Sequence, residues 1–239
     1  MVPQATGGFF LSKINNSMKK IWFFGDSWCN NGEPGTWPFL LAEQNNCQIA
    51  HLGTAGRSLQ GTLQEFLDNV DYIQKEDIVV FVYTSVNRWR FKNSCYRLGV
   101  ATREDIAQSH QNITEEQYQT FCKYLIHLSD NEEEVLRGAC IINFMLNYKL
   151  PCKSIHIPAF ADFPVKYLPN FKEIGINIKS DNTYNLTRMI WDIESKLGLE
   201  HNFIQTTSYE WNHCGAPGSE YDSNQIVCDL AQELIDNDT

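Results

Sequence analysis

Four short apolar runs stand out of an otherwise mixed chain: Lys20 to Phe24, Gln48 to Leu52, Ile78 to Tyr83 and Ser154 to Ile157. Each is β-branched or aromatic and nearly continuous in apolar character. That pattern predicts parallel strands covered on both faces rather than half-exposed strands, which would alternate. Between the runs, apolar positions recur at helical spacing. Trp37 to Glu43 has Pro38 near its first turn, and Ser58 to Val70 carries Leu59, Leu63, Phe66 and Leu67 three and four residues apart. Alternating β and α segments imply right-handed crossovers and a parallel sheet.

About seventy residues separate the third run from the fourth. Two helices are expected there, Glu115 to Leu128 and Asn131 to Tyr148. Thr114-Glu115-Glu116-Gln117 has the form of a capping box that opens the first, and Glu132, Glu133 and Glu134 suit the N-terminal turn of the second. The stretch begins with a polar loop, Arg90 to Gln111, read as a lid or a partner surface over the sheet's edge. Beyond the fourth strand, Pro158 to Asn185 is loop-like and Leu186 to Leu197 helical. A last helix, Ser223 to Ile235, puts Ile226, Val227, Leu230, Ala231 and Leu234 on one face. No internal repeat, low-complexity tract or linker interrupts the chain.

Composition narrows the class. At 239 residues, 43% hydrophobic and 13% aromatic, the chain is long and apolar enough to bury a core as one domain. A formal charge of −10 argues against a nucleic-acid backbone or an anionic membrane face as partner. No apolar stretch approaches the roughly eighteen residues that a membrane span needs. Met1 to Ser17 does not read as a signal peptide. Met18-Lys19-Lys20 reads as a natural start, so residues 1–17 are expected to be a disordered or artificially appended tail and residues 18–239 a single domain. The expected location is the cytoplasm, or a virion if the chain is of phage origin. The eight cysteines show no Cys-x-x-Cys spacing and fall mostly in apolar runs, the pattern of reduced thiols used as small core residues.

The first strand stops at Gly25-Asp26-Ser27. A serine on a sharp turn there would lie at the sheet's carboxyl edge, where open α/β sheets bind ligands. It can act as a nucleophile if a histidine and an acid reach it, and Glu210-Trp211-Asn212-His213 offers both. Two further segments close the second and third strands: His51-Leu52-Gly53-Thr54-Ala55-Gly56-Arg57-Ser58 and Thr84-Ser85-Val86-Asn87-Arg88.

In their order and placement, these four blocks together resemble the SGNH (GDSL-type) serine hydrolase family. The resemblance runs over roughly residues 18 to 236 as short blocks joined by unlike sequence. It implies a three-layer α/β/α sandwich on a flavodoxin-like parallel sheet, with a helical insertion between strands three and four. The helical pair resembles a phage-type or marine-bacterial branch. By the same likeness Ser27 is the nucleophile, His213 the general base and Glu210 the acid that orients it. The oxyanion hole is formed by the backbone N–H groups of Ser27 and Gly56 with the Asn87 side chain. Three positions depart from the family pattern: Ser85 replaces glycine, Arg88 replaces aspartate, and Glu210 replaces aspartate before the histidine. Ser85 is therefore a second candidate donor, and Asp222 a second candidate acid.

The residues themselves leave alternatives. Gly56 also suits a tight strand-to-helix turn, and Asn87 also suits a turn cap. Arg88 or Arg90 is placed to hold an anionic or hydroxyl-rich substrate group. Trp28, Trp37, Trp89 and Trp211 fall near three of the blocks, where indole faces suit stacking on sugar rings or, for any single one, filling the core. Trp28, Arg88, Trp89 and Trp211 are thus the candidate substrate contacts. Cys29 and Cys214 are thiol alternatives without a low-pKa signature. The remaining histidines lack metal-ligand spacing, and His156 reads as a core residue. No metal or cofactor is expected. The activity expected is hydrolysis of a short acyl ester, such as acetyl on a carbohydrate; the rival is a carbohydrate-binding or structural module on the same fold.

Overall fold

The computed structural model describes residues 18–30, 33–86, 88–91, 94–97, 114, 116–117, 119–120, 123, 131–159, 167 and 224–237, with the backbone alone at 89–91, 94–97, 131 and 237. The expected helix over 186–197 and the N-terminal tail lie outside them. So do Asn87, Glu210, Trp211, His213, Cys214 and Asp222.

Strands β1 (Lys20–Phe24), β2 (Gln48–His51) and β3 (Ile78–Tyr83) occupy the first three apolar runs. The fourth run is β6 (Lys153–Pro158), because a hairpin of β4 (Arg88–Phe91) and β5 (Ser94–Arg97) intervenes. Strands β2-β1-β3-β6 form one parallel sheet in that order. All six residues of β3 are buried, as a central strand covered on both faces requires.

One face of the sheet is covered by α1 (Trp37–Gln44) and α4 (Asn224–Asn237), whose Trp37, Leu41, Val227, Cys228 and Ala231 pack with Ile21, Phe23, Val80 and Val82. The other is covered by α2 (Leu59–Asn69) and α3 (Asn131–Asn147). There Leu59, Phe66, Ala139, Ile142 and Met145 pack with Trp22, Phe24, Val79 and Phe81. The protein is therefore a three-layer α/β/α sandwich on a parallel sheet, with helical structure inserted between β3 and β6.

Local chemistry sets the helix starts. Ser58 Oγ accepts from the Gly61 N–H at 3.3 Å and caps α2. The expected capping box at 114–117 forms reciprocally: the Thr114 N–H donates to Gln117 Oε1 at 3.1 Å, and the Gln117 N–H to Thr114 Oγ1 at 3.2 Å. Thr36 makes no side-chain cap for α1. Its first N–H instead donates to Asn224 Oδ1 at 2.9 Å, from the first residue of α4.

Three expectations need correction. The polar loop beginning at Arg90 opens with the β4–β5 hairpin, in which Trp89 pairs with Tyr96 and Arg90 with Cys95. The buried face of α4 runs through Asn224, Val227, Cys228, Ala231 and Ile235, leaving Ile226 exposed, because the helix is held by Asn224 at its first turn. Leu67 likewise points to solvent from α2. Of the five cysteines whose side chains are described, all free thiols, Cys29 and Cys228 are buried, whereas Cys140 is exposed on α3.

Candidate active site

The strand order places a topological switch point between β1 and β3: β1 connects to β2 on one side, and the chain then crosses to the other. Ligands of open α/β sheets bind outside the carboxyl ends of the strands at such a point. Two of the sequence blocks, Gly25–Ser27 and Thr84–Ser85, leave the sheet there, from the paired ends Phe24 and Phe81–Tyr83.

Ser27 begins a single 3-10 turn, Ser27–Cys29, for which Asp26 is the N-cap. Asp26 Oδ1 accepts from the Trp28 N–H at 3.1 Å, and its backbone oxygen accepts from the Cys29 N–H at 3.1 Å. Its second carboxylate oxygen, Oδ2, accepts from Thr84 Oγ1 at 2.7 Å, just past β3, and pairs with Arg88 Nη1 at 3.0 Å. Asp26 is fully buried and the Arg88 side chain is 14% exposed. Removing one partner of such a buried pair typically costs about 3–5 kcal/mol, because the other charge is left uncompensated. Asp26 therefore fixes the turn that presents Ser27, a role that local sequence did not signal. Ser27 itself is 1% exposed, on the floor of the site.

The loop after β2 is tied against this turn. The Gly53 N–H donates to Cys29 O at 3.0 Å and the Thr54 N–H to Gly25 O at 3.1 Å. A Cβ at Gly53 would lie 2.5 Å from Cys29 Sγ and 2.9 Å from Asp26 O, so glycine is what lets the two loops touch. At Gly56 nothing lies within 4 Å of an added Cβ. Glycine is needed there for its φ of +71°, which turns the chain between Thr54 and Arg57. Glu65 Oε1 on α2 holds the same loop, accepting from Thr54 Oγ1 at 2.7 Å and from Arg57 Nε at 2.9 Å, with Arg57 Nη2 as a further donor.

The thiol beside the serine is a poor nucleophile. Cys29 is buried, and burial followed by the Asp26 charge pushes its thiol well above the usual range. Burial also raises Cys228 to about 11. Among the described residues, no group of three or more His, Cys, Asp or Glu could hold a metal ion, and no helix is long and apolar enough to cross a membrane.

Of the expected site residues, Ser27, Gly56, Ser85 and Arg88 gather at this edge. Ser85 is buried just past β3. Two expected substrate contacts are reassigned. Trp28, 2% exposed, fills the core over β1, and its backbone oxygen accepts from Trp37 Nε1 at 2.6 Å, so its indole face is covered by protein. The Arg88 guanidinium points inward to Asp26. Trp89 is placed only by its backbone in β4.

No protein-family model matches the chain, and no curated protein does. The crystal structure of protein YxiM from Bacillus subtilis is similar at 13% identity with a TM-score of 0.35. The match covers 93% of this chain and 56% of that one, so the chain spans little more than half of that protein's length. A likeness at that level bears on neither activity nor substrate.

Proposed function

We propose that the chain is a serine esterase of the SGNH type, acting on short acyl esters such as acetyl groups on a carbohydrate. The observation that carries this reading is the hydroxyl of Ser27 on a capped turn at the switch point, with the Gly53–Arg57 loop hydrogen-bonded against it. In the reaction, Ser27 Oγ attacks the ester carbonyl carbon while His213 takes its proton. Glu210, or Asp222 in its place, accepts from the second imidazole nitrogen and stabilises the imidazolium. The negative oxygen of the tetrahedral intermediate is met by the backbone N–H groups of Ser27 and Gly56, with the Asn87 amide or the Ser85 hydroxyl as third donor. Collapse expels the alcohol, protonated by His213. Water, activated by the same histidine, then releases the acid from the acyl-enzyme.

The anchoring of α4 supports the convergence. His213 precedes Asn224 by eleven residues (224 − 213), a stretch that reaches up to about 40 Å when extended. Asn224 is hydrogen-bonded to Trp37, whose indole reaches the carbonyl of Trp28, the neighbour of Ser27. The helix that follows the histidine in sequence thus starts at the edge where Ser27 lies, which supports the reading.

A binding module is the second reading, favoured by the near-complete burial of Ser27. Hydrolysis of a short-chain aryl ester and labelling by a fluorophosphonate decide between the two. The wild type is expected to do both. Ser27→Ala should lose labelling and drop turnover by on the order of a thousand-fold or more. Equal inertness of both proteins on a broad ester panel, with binding on a glycan array, selects the module.

A further inference from the structure

We propose that Arg88 is a positioning residue whose guanidinium locks the Ser27 turn, the Gly56 loop and the exit of β3 into one frame. The inference rests on the esterase reading for its catalytic consequence, but its geometry stands apart from it. Arg88 Nη1 lies 3.0 Å from Asp26 Oδ2 and 3.4 Å from the backbone oxygen of Arg57, the residue after Gly56. The Arg88 backbone N–H donates to Ser85 O at 3.3 Å, rooting the side chain at the exit of β3. The third tie is Thr84, whose hydroxyl donates to the same carboxylate oxygen of Asp26. One cation therefore joins groups that lie 31 and 62 positions away in the chain (88 − 57 and 88 − 26).

The acceptors explain why the residue is arginine. A buried carboxylate and a backbone oxygen on a separate loop suit a planar, weakly hydrated fork better than a compact, strongly hydrated ammonium. They also argue against a substrate anion as its main partner, because Nη1 already faces two protein oxygens and the side chain is 14% exposed. The donors expected to meet the oxyanion sit on all three of the segments that Arg88 joins. Their spacing relative to Ser27 Oγ follows the frame, and misplacement of about 1 Å can cost on the order of a hundred-fold in rate.

Arg88→Met and Arg88→Lys test this, the lysine variant keeping a charge beside Asp26 should the methionine variant fail to fold. The first readout is amide hydrogen exchange, which needs no activity. Exchange is expected to quicken together over 25–29, 53–58 and 84–86, more in Arg88→Met than in Arg88→Lys, while β1 and β3 stay protected. Unchanged exchange, or a change confined to 84–86, overturns the frame. The second readout compares two aryl esters, a neutral acetyl ester and an anionic succinyl half-ester. Positioning predicts that kcat falls on both by on the order of ten- to a hundred-fold, with KM nearly constant. A rise in KM on the anionic ester alone makes Arg88 a substrate contact and overturns the proposal. A wild type inert on both esters and unlabelled by fluorophosphonate removes the esterase reading, while the exchange result still decides whether the frame exists.

Discussion

A neutral imidazole is built into the layer between the sheet and α2/α3. His156 on β6 is buried, stacks on Phe81 with ring centroids 5.0 Å apart, and keeps Nδ1 2.8 Å from the Tyr83 hydroxyl and Nε2 3.4 Å from Ser154 Oγ. Burial lowers its pKa from 6.5 to about 3, and burial raises that of Tyr83, so both groups stay uncharged at neutral pH. The sign of the pH dependence follows. Between pH 6.5 and 3 the unfolded chain binds a proton at His156 that the folded chain refuses, so stability is full above pH 6.5 and falls as the pH drops. The slope from this residue approaches about 1.4 kcal/mol per pH unit. Urea denaturation at pH 7 and pH 5 should therefore show a drop in the wild type that is smaller by about 2 kcal/mol in His156→Phe. Parallel curves for the two proteins would show that the imidazole accepts its proton in the folded state.

At the scale of elements, the helical layers are held at close range by small residues as much as by large ones. A Cβ at Gly138 of α3 would sit 2.7 Å from Val86 Cγ1 and 3.3 Å from Leu59 Cδ1, so α3 is packed down onto the exit of β3 and the start of α2. Glycine in a helix interior costs up to about 1 kcal/mol relative to alanine, whereas overpacking a tight contact costs about 1–3 kcal/mol. The second effect wins here because Val86 is itself buried and β-branched. Gly138→Ala is expected to destabilise the protein by about 1 kcal/mol in chemical denaturation, and by clearly less in a Val86→Ala background. Equal losses in both backgrounds would mean that α3 can shift at no cost. The elements themselves were partly legible. The unbroken apolar run of β3 and the capping box at 114–117 are local signals, and both appear where the sequence puts them. The β4–β5 hairpin is carried only weakly by the sequence, although Arg88-Trp89-Arg90-Phe91 alternates charged and aromatic residues with the period of a strand. Each strand is only four residues long, too short for that alternation to stand out from a polar loop.

At the scale of the whole molecule, the layered fold followed from strand and helix patterns, but the contacts that join the site did not. Asp26 and Arg88, or Asn224 and Trp37, are polar residues far apart in sequence, and their pairing depends on which strand ends the topology brings together. Nothing in the local pattern around Asn224 distinguishes a surface amide from a buried one, and the apolar count on α4 consequently favoured a face that included Ile226. Yet Asn224 is fully buried and accepts from the first N–H of α1, which has no cap of its own. The two helices run side by side in the same direction: further along, Asn45 Nδ2 donates to Gln232 Oε1 at 2.7 Å, and Lys153 Nζ reaches Ile235 O at 3.0 Å from the start of β6. A residue 187 positions away thus completes the first turn of α1. Asn224→Ala leaves the Trp37 N–H buried without that acceptor and should cost about 1–2 kcal/mol in urea denaturation. Asn224→Asp keeps an acceptor oxygen beside the N-termini of α1 and α4, where negative charge is favoured, and should lose clearly less. An equal loss in both variants would show that the amide acts through its volume alone, and that the cap of α1 does not depend on α4.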